Sequence, residues 1–284
     1  MAFKTKFKGE PLFSVPDFAQ LCWDEFGREI IAKVNERFKG TSAAINPDYK
    51  GEDRQVTNSN TFRLFAINSV ARENGVRVMH PEESEILLAQ ERLPEAGSAY
   101  YDLGAVIDFS GKNHNLACDL YNKLPKEWKD LDKFPCVALE LLPVSSSIGD
   151  YGLSLEPTAY SQLRTAKILS QQTGMFNGDD LELFRYGLPS ELGQGTRTFH
   201  TLAQKKPAVD NLGVSGLCLD WGLNLGSGSE GLADSDEDGR VVFVSAEGTS
   251  QKFMEYSNNL IRKRRDLEEE LLRVNRAEEI LKGK

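Results

Sequence analysis

Apolar residues spaced three and four apart (Phe18, Leu21, Cys22, Phe26, Ile30 and Val34) predict a helix from Asp17 to Phe38, with Gly40 as its stop. Residues 41–60 are polar and rich in turn formers, as a loop or crossover would be. Helical spacing returns from Thr61 to Asn74 through Phe62, Phe65, Ile67 and Val70, and Asn74-Gly75 closes it. Val76-Arg77-Val78-Met79 reads as a short strand. His80-Pro81-Glu82-Glu83 then opens another helix, with proline in its first turn and acids at its positive end.

The punctuation changes near residue 98. Tyr100 to Phe109 reads as a strand, Asn115 to Leu124 as a helix and Cys136 to Leu142 as a second strand. Short runs such as Tyr151–Leu155 and Thr196–Leu202 follow between glycine-rich turns. This pattern predicts an α+β domain rich in ordered loops, and not a regular sandwich or a βα repeat. Residues 251–282 form a charged helix with Phe253, Leu260, Leu267, Val274 and Leu281 seven apart. Tyr256, Leu271 and Ala277 only partly supply a second apolar position, and Arg264 interrupts it. The expectation is therefore a helix packed on its own protein through one stripe, with a coiled coil as the alternative.

The segment from Gly213 to Glu247 is unlike the rest. Leu217, Leu219, Leu223 and Leu225 recur at even spacing, so extended backbone places them on one face. Cys218, Asp220, Gly222 and Asn224 fall on the other. Leu232 follows, and Val241 to Val244 makes a buried-strand run. An ordinary core strand followed by a solvated loop accounts for the same pattern. Within the segment, Asp234-x-Asp236-x-Asp238-Gly239 has the spacing of a calcium loop. Its twelfth position is Ser245, which cannot supply the bidentate carboxylate, and a strand begins at Val241 where that motif has a helix.

With 40% hydrophobic and 27% charged residues in 284, the chain can bury a substantial core. No apolar run approaches the ~18 residues of a membrane helix, and the basic start lacks the apolar stretch of a secretory signal. The expected location is the cytoplasm. A formal net charge of −9 argues against nonspecific nucleic-acid binding. Cys22, Cys118, Cys136 and Cys218 are scattered, with no CxxC pair, and His80, His114 and His200 supply no metal motif. Four reduced thiols are expected, with neither a disulfide, a zinc site nor a cofactor.

The fixed leucines with interleaved small polar residues, ending in DGRVVFVSAE, resemble the variable region of diversity-generating retroelement variable proteins. The resemblance extends upstream through YYDLGAVIDFSGKNHNLACDLYNKLPKEW, ELFRYGLPSELGQGTRTFHT and DNLGVSGLCLDWGLNL, and is to a group from small-genome bacteria. It implies a C-type lectin fold of the formylglycine-generating type over residues 96–250. A mainly helical segment over 1–95 would precede it, and the charged helix over 251–284 would follow. It also implies a ligand-binding surface, about residues 216–242, diversified by adenine-directed mutagenic reverse transcription. The implied variable positions are Cys218, Asp220, Trp221, Gly222, Asn224, Gly226, Gly228, Ser229, Glu230, Asp234, Asp236, Glu237 and Asp238. An asparagine codon mutated only at its adenines reaches Asp, Ser, Gly, Tyr and Cys. Trp221, Glu230 and Glu237 lie outside that set and require other template codons. Leu217, Leu219, Leu223, Leu225 and Leu232 would be the fixed scaffold.

Catalysis has little support in the sequence. The enzymes of that fold depend on active-site cysteines, and Cys218 has no partner cysteine near it. His114 and His200 have no neighbouring nucleophile or carboxylate in sequence. The expectation is a non-catalytic binder of a variable ligand, a protein in preference to a nucleic acid or a membrane. The alternative is a structural or assembly subunit that recruits partners, or itself, through the C-terminal helix. Between Ser215 and Arg240 stand six acids (Asp220, Glu230, Asp234, Asp236, Glu237 and Asp238), which favours a cationic protein patch as ligand.

Overall fold

The computed structural model describes residues 19–22, 25–46, 48–49, 56–57, 60–81, 83–84, 87, 92–94, 99–108, 113–130, 136–165, 175–176, 197–198, 208–219, 225–226, 231–234, 239–245 and 251–282. The first expected helix begins later than its spacing suggests. Ala19–Leu21 is a strand, β1, and the helix α1 runs over Glu25–Arg37. Phe18, Leu21 and Cys22 suit a helix face equally well, but backbone pairing with a distant strand decides the outcome. Gly27 permits the close turn before it: a Cβ there would lie 1.3 Å from the Cys22 carbonyl oxygen, so only glycine fits. A small ribbon, β2 (Asp48–Tyr49) with β3 (Val56–Thr57), leads to the helix α2 (Thr61–Glu73).

Helix α2 is the centre of the molecule. Thr61 through Asn68, then Val70 and Ala71, are buried, because the helix is apolar on most of its circumference. Asn60 caps it by accepting from the Arg63 amide at 2.9 Å. At the other end Asn74 donates to the Val70 carbonyl at 2.8 Å, and Gly75 reverses the chain at φ 81°. Strand β4 (Val76–Val78) follows, and residues 81, 83, 84 and 87 are helical. Next come β5 (Tyr100–Asp108), the helix α3 (His114–Lys123) and β6 (Cys136–Leu139).

The expected strand from Cys136 to Leu142 is broken at Glu140, which takes a left-handed conformation at φ 56°. The chain leaves the sheet there and forms a separate ribbon of β7 (Leu142–Ser145) with β8 (Leu153–Glu156). Further on lie β9 (Gln162–Thr165), the ribbon of β10 (Met175–Phe176) with β11 (Arg197–Thr198), then β12 (Val214–Leu219) and β13 (Leu225–Gly226). Two more strands, β14 (Gly239–Arg240) and β15 (Val242–Ser245), precede the helix α4 (Gln251–Lys282).

The larger sheet runs β13-β12-β5-β6-β9, antiparallel throughout, with β14 added parallel to β5. The smaller sheet is β1-β15-β4, so a late strand lies between two early ones. Val106, Ala138 and Val214 pack with α1 and α2 in one core. Leu139, Leu217, Leu219, Val242 and Val244 pack in a second, with Met79 and Tyr101. Phe243 joins the smaller sheet to α1, with its ring edge-on to Phe26 at 6.3 Å. The segments 1–95 and 96–250 thus share a sheet and a core. The architecture is α+β: the described residues hold the helices α1–α4, further helical residues between 81 and 87, and several antiparallel sheets.

Helix α4 departs from expectation. Each described side chain from Arg262 onward is exposed, including Leu267, Leu271, Leu272, Val274, Ile280 and Leu281 at 50% to 72%. Over this length the apolar stripe does not pack on its own protein. Among the described residues no helix is long and apolar enough to cross a membrane.

Candidate functional site

The leucine-rich window is stitched to the body at three places. In the first, β12 pairs with β13, Cys218 opposite Gly226 and Leu219 opposite Leu225, so residues 220–224 connect two fixed strand ends. In the second, the turn 231–234 is tied to the start of α2. The Thr61 amide donates to the Leu232 carbonyl, and Asn60 Nδ2 donates to the Ala233 carbonyl, each at 3.1 Å. In the third, Gly239–Arg240 adds to β5. Leu217, Leu219 and Leu232 are buried, as aliphatic anchors at alternate or turn positions should be. Cys218 is half-buried and lies on the same side of β12 as Gly216; Asp234 is exposed. Gly226 is placed by its strand pairing. Asp220, Trp221, Gly222, Asn224, Gly228, Ser229, Glu230, Asp236, Glu237 and Asp238 lie outside the described residues, as does Leu223. Asp236 and Asp238 of the calcium-loop spacing thus lie outside the described residues, while Asp234 and Gly239 lie within them.

Strand β12 meets the body tightly. Three residues of β5, 103–105, oppose the single Leu217, and this bulge frees the Gly104 amide to donate to the Met79 carbonyl at 3.1 Å. Gly216 abuts the first turn of α2, where an added Cβ would stand 2.4 Å from Thr61 Oγ1. Ser215 is fully buried on the leucine side, and its hydroxyl has no hydrogen-bond partner among the described residues.

A second constellation was not anticipated from the sequence. Glu140, turned inward at the break between β6 and β7, is 2% exposed and receives several donors. Arg72 on α2 binds it through both Nε, at 2.7 Å, and a terminal nitrogen. His80 Nε2 lies 2.9 Å from Oε1, and Asn68 Nδ2 donates at 3.4 Å. Thr158 and Ser161 hydroxyls donate to its main-chain carbonyl, at 3.0 and 2.7 Å. Burial pushes the carboxyl up, but hydrogen bonds from His80 and Arg72, with their positive charge, outweigh it and hold the pKa at about 2. An acid so firmly ionised and paired is a poor proton donor or acceptor near neutrality. The Arg72 guanidinium also lies under the Tyr160 ring, 4.8 Å from its centroid. A cavity of about 450 Å³ opens beside the group, lined by Arg37, Phe38, Arg72, Leu142 and Tyr160 among others. The one sequence signal was an acid inside an apolar run, Glu140 in CVALELL.

His114 and Cys118 form a third grouping, one turn apart on α3. The sulfur lies 3.5 Å from His114 Nε2, while Nδ1 lies 2.8 Å from the Leu212 carbonyl oxygen, which makes Nδ1 the protonated nitrogen. Burial raises the Cys118 pKa, which disfavours the thiolate. Among the described residues, Cys22, Cys118 and Cys218 are in no disulfide, and no three His, Cys, Asp or Glu side chains are grouped to hold a metal ion.

No family model, curated protein or solved structure matches this chain.

Proposed function

We propose that this chain is a non-catalytic ligand-binding protein. In this reading it is a diversity-generating retroelement variable protein, and its C-type lectin-like domain presents a face diversified at its polar window positions. The observation that carries the reading is the division of labour within the window. Leu217, Leu219 and Leu232 are buried anchors, the turn 231–234 and strands β13 and β14 are tied to the body, and ten of the thirteen candidate positions lie on the stretches between. The reading expects those ten positions to face solvent, since changing a buried leucine costs ~2–5 kcal/mol while exposed positions tolerate change within about 0.5 kcal/mol.

The test is genetic and direct. The genome should carry a reverse transcriptase gene beside a near-identical copy of the codons for about Gly216–Val242, with mismatches confined to template adenines. A complete genome without that copy refutes the reading. The acids of the window favour a cationic protein patch, so binding should weaken with added salt.

A further inference from the structure

We infer that α4 pairs antiparallel with the same helix of a second copy of this chain. Leu267, Leu271, Val274 and Leu281 stand at i, i+4, i+7 and i+14, one face of the helix, and all four are at least half exposed. A stripe of that kind on a solvated helix marks an interaction surface. At 32 residues the helix is about 48 Å long, enough for some four heptads.

Charge selects the occupant and its direction. Arg262, Lys263, Arg264 and Arg265 form an unbroken basic block, and Asp266, Glu268, Glu269 and Glu270 form the acidic block that follows at once. Parallel pairing in register would set like block against like, which is unfavourable. Antiparallel pairing about the boundary between Arg265 and Asp266 sets each basic block against the acidic block of the other copy. That boundary lies near the middle of α4, between Gln251 and Lys282, so the same alignment overlaps nearly the whole helix. It also brings Leu271 of one copy level with Leu260 of the other, so that one apolar pair flanks the charged blocks on each side. One dimer would then carry two copies of the leucine-rich window, which raises avidity for a repeated ligand without any new contact to it.

Sedimentation equilibrium of the full chain tests the inference. The expected mass is twice the 31.7 kDa of one chain. The dissociation constant should rise about tenfold or more between low salt and 1 M, where screening shortens to ~3 Å. Leu267→Gln, Leu271→Gln and Val274→Gln together should give a monomer whose near-ultraviolet circular dichroism is unchanged, because these side chains are exposed. Replacing all four basic residues by Glu should also give a monomer, as should replacing the four acids by Lys. Mixing those two charge variants should restore a dimer. A wild-type monomer, its helix left for a different protein or for a lipid surface, overturns the inference. So does a dimer that survives the glutamine substitutions. A parallel pair overturns it as well, recognised by a basic-to-Glu variant that dimerises as strongly as wild type.

Discussion

Replacing Glu140 by Gln tests whether the buried ionic group holds β6, β7, α2 and the segment after β4 together. The substitution keeps the shape, removes the charge and turns an amide donor toward Arg72 or His80. Removing one partner of a buried pair costs about 3–5 kcal/mol, because the other charge remains uncompensated. Proton linkage gives a similar figure by a separate route. A carboxyl held at about 2, against an ordinary 4.5, contributes on the order of 3 kcal/mol to folding. Because the folded value is the depressed one, that contribution is complete above pH 4.5 and is lost as pH falls through 4.5 toward 2. Urea unfolding of wild type and Glu140→Gln at a series of pH values should therefore show two things. At pH 7 the variant should be less stable by about 3 kcal/mol. Below pH 4.5 the two curves should converge, at up to about 1.4 kcal/mol per pH unit. A loss under about 1 kcal/mol at pH 7, or curves that stay parallel in acid, would refute the account of the cluster.

Two further substitutions probe the seam between β12 and α2. Gly216→Ala should destabilise by about 1–3 kcal/mol in thermal or urea unfolding, since its Cβ collides with Thr61 at the buried start of α2. Ser215→Ala should stabilise by about 1 kcal/mol in the same assay, since it deletes a buried hydroxyl that has no partner among the described residues.

Elements with a clear local period were legible in the sequence. Thr61–Glu73 and His114–Lys123 lie within a residue of their expected limits, and Tyr100–Asp108 and Val242–Ser245 were visible as apolar runs. What escaped depends on partners far away in the chain. Ala19–Leu21 has a helical pattern, yet pairs with Val242–Val244, more than two hundred residues on. The break at Glu140 follows from a carboxylate drawn to Arg72 and His80, both over fifty residues earlier. Local spacing also shows that α4 has an apolar stripe, but not whether its own protein covers it. In the window, even spacing correctly marked Leu217 and Leu219 as buried. The ties of 231–234 to Asn60 and Thr61 could not be read from either segment alone.

The position of β15 between β1 and β4 bears on how the chain is made. Ribosomes release residues 19–78 long before Val242 emerges, so both early strands, which pair with no other strand among the described residues, wait for the one that joins them. Contacts this distant in sequence slow folding and prolong the life of sticky intermediates. A nascent chain arrested before β15 should therefore be protease-sensitive even in its earliest-made part, around α1 and β1. Arrest just beyond Ser245 should convert that same amino-terminal region to a resistant form, so that the oldest residues of the polypeptide mature almost last.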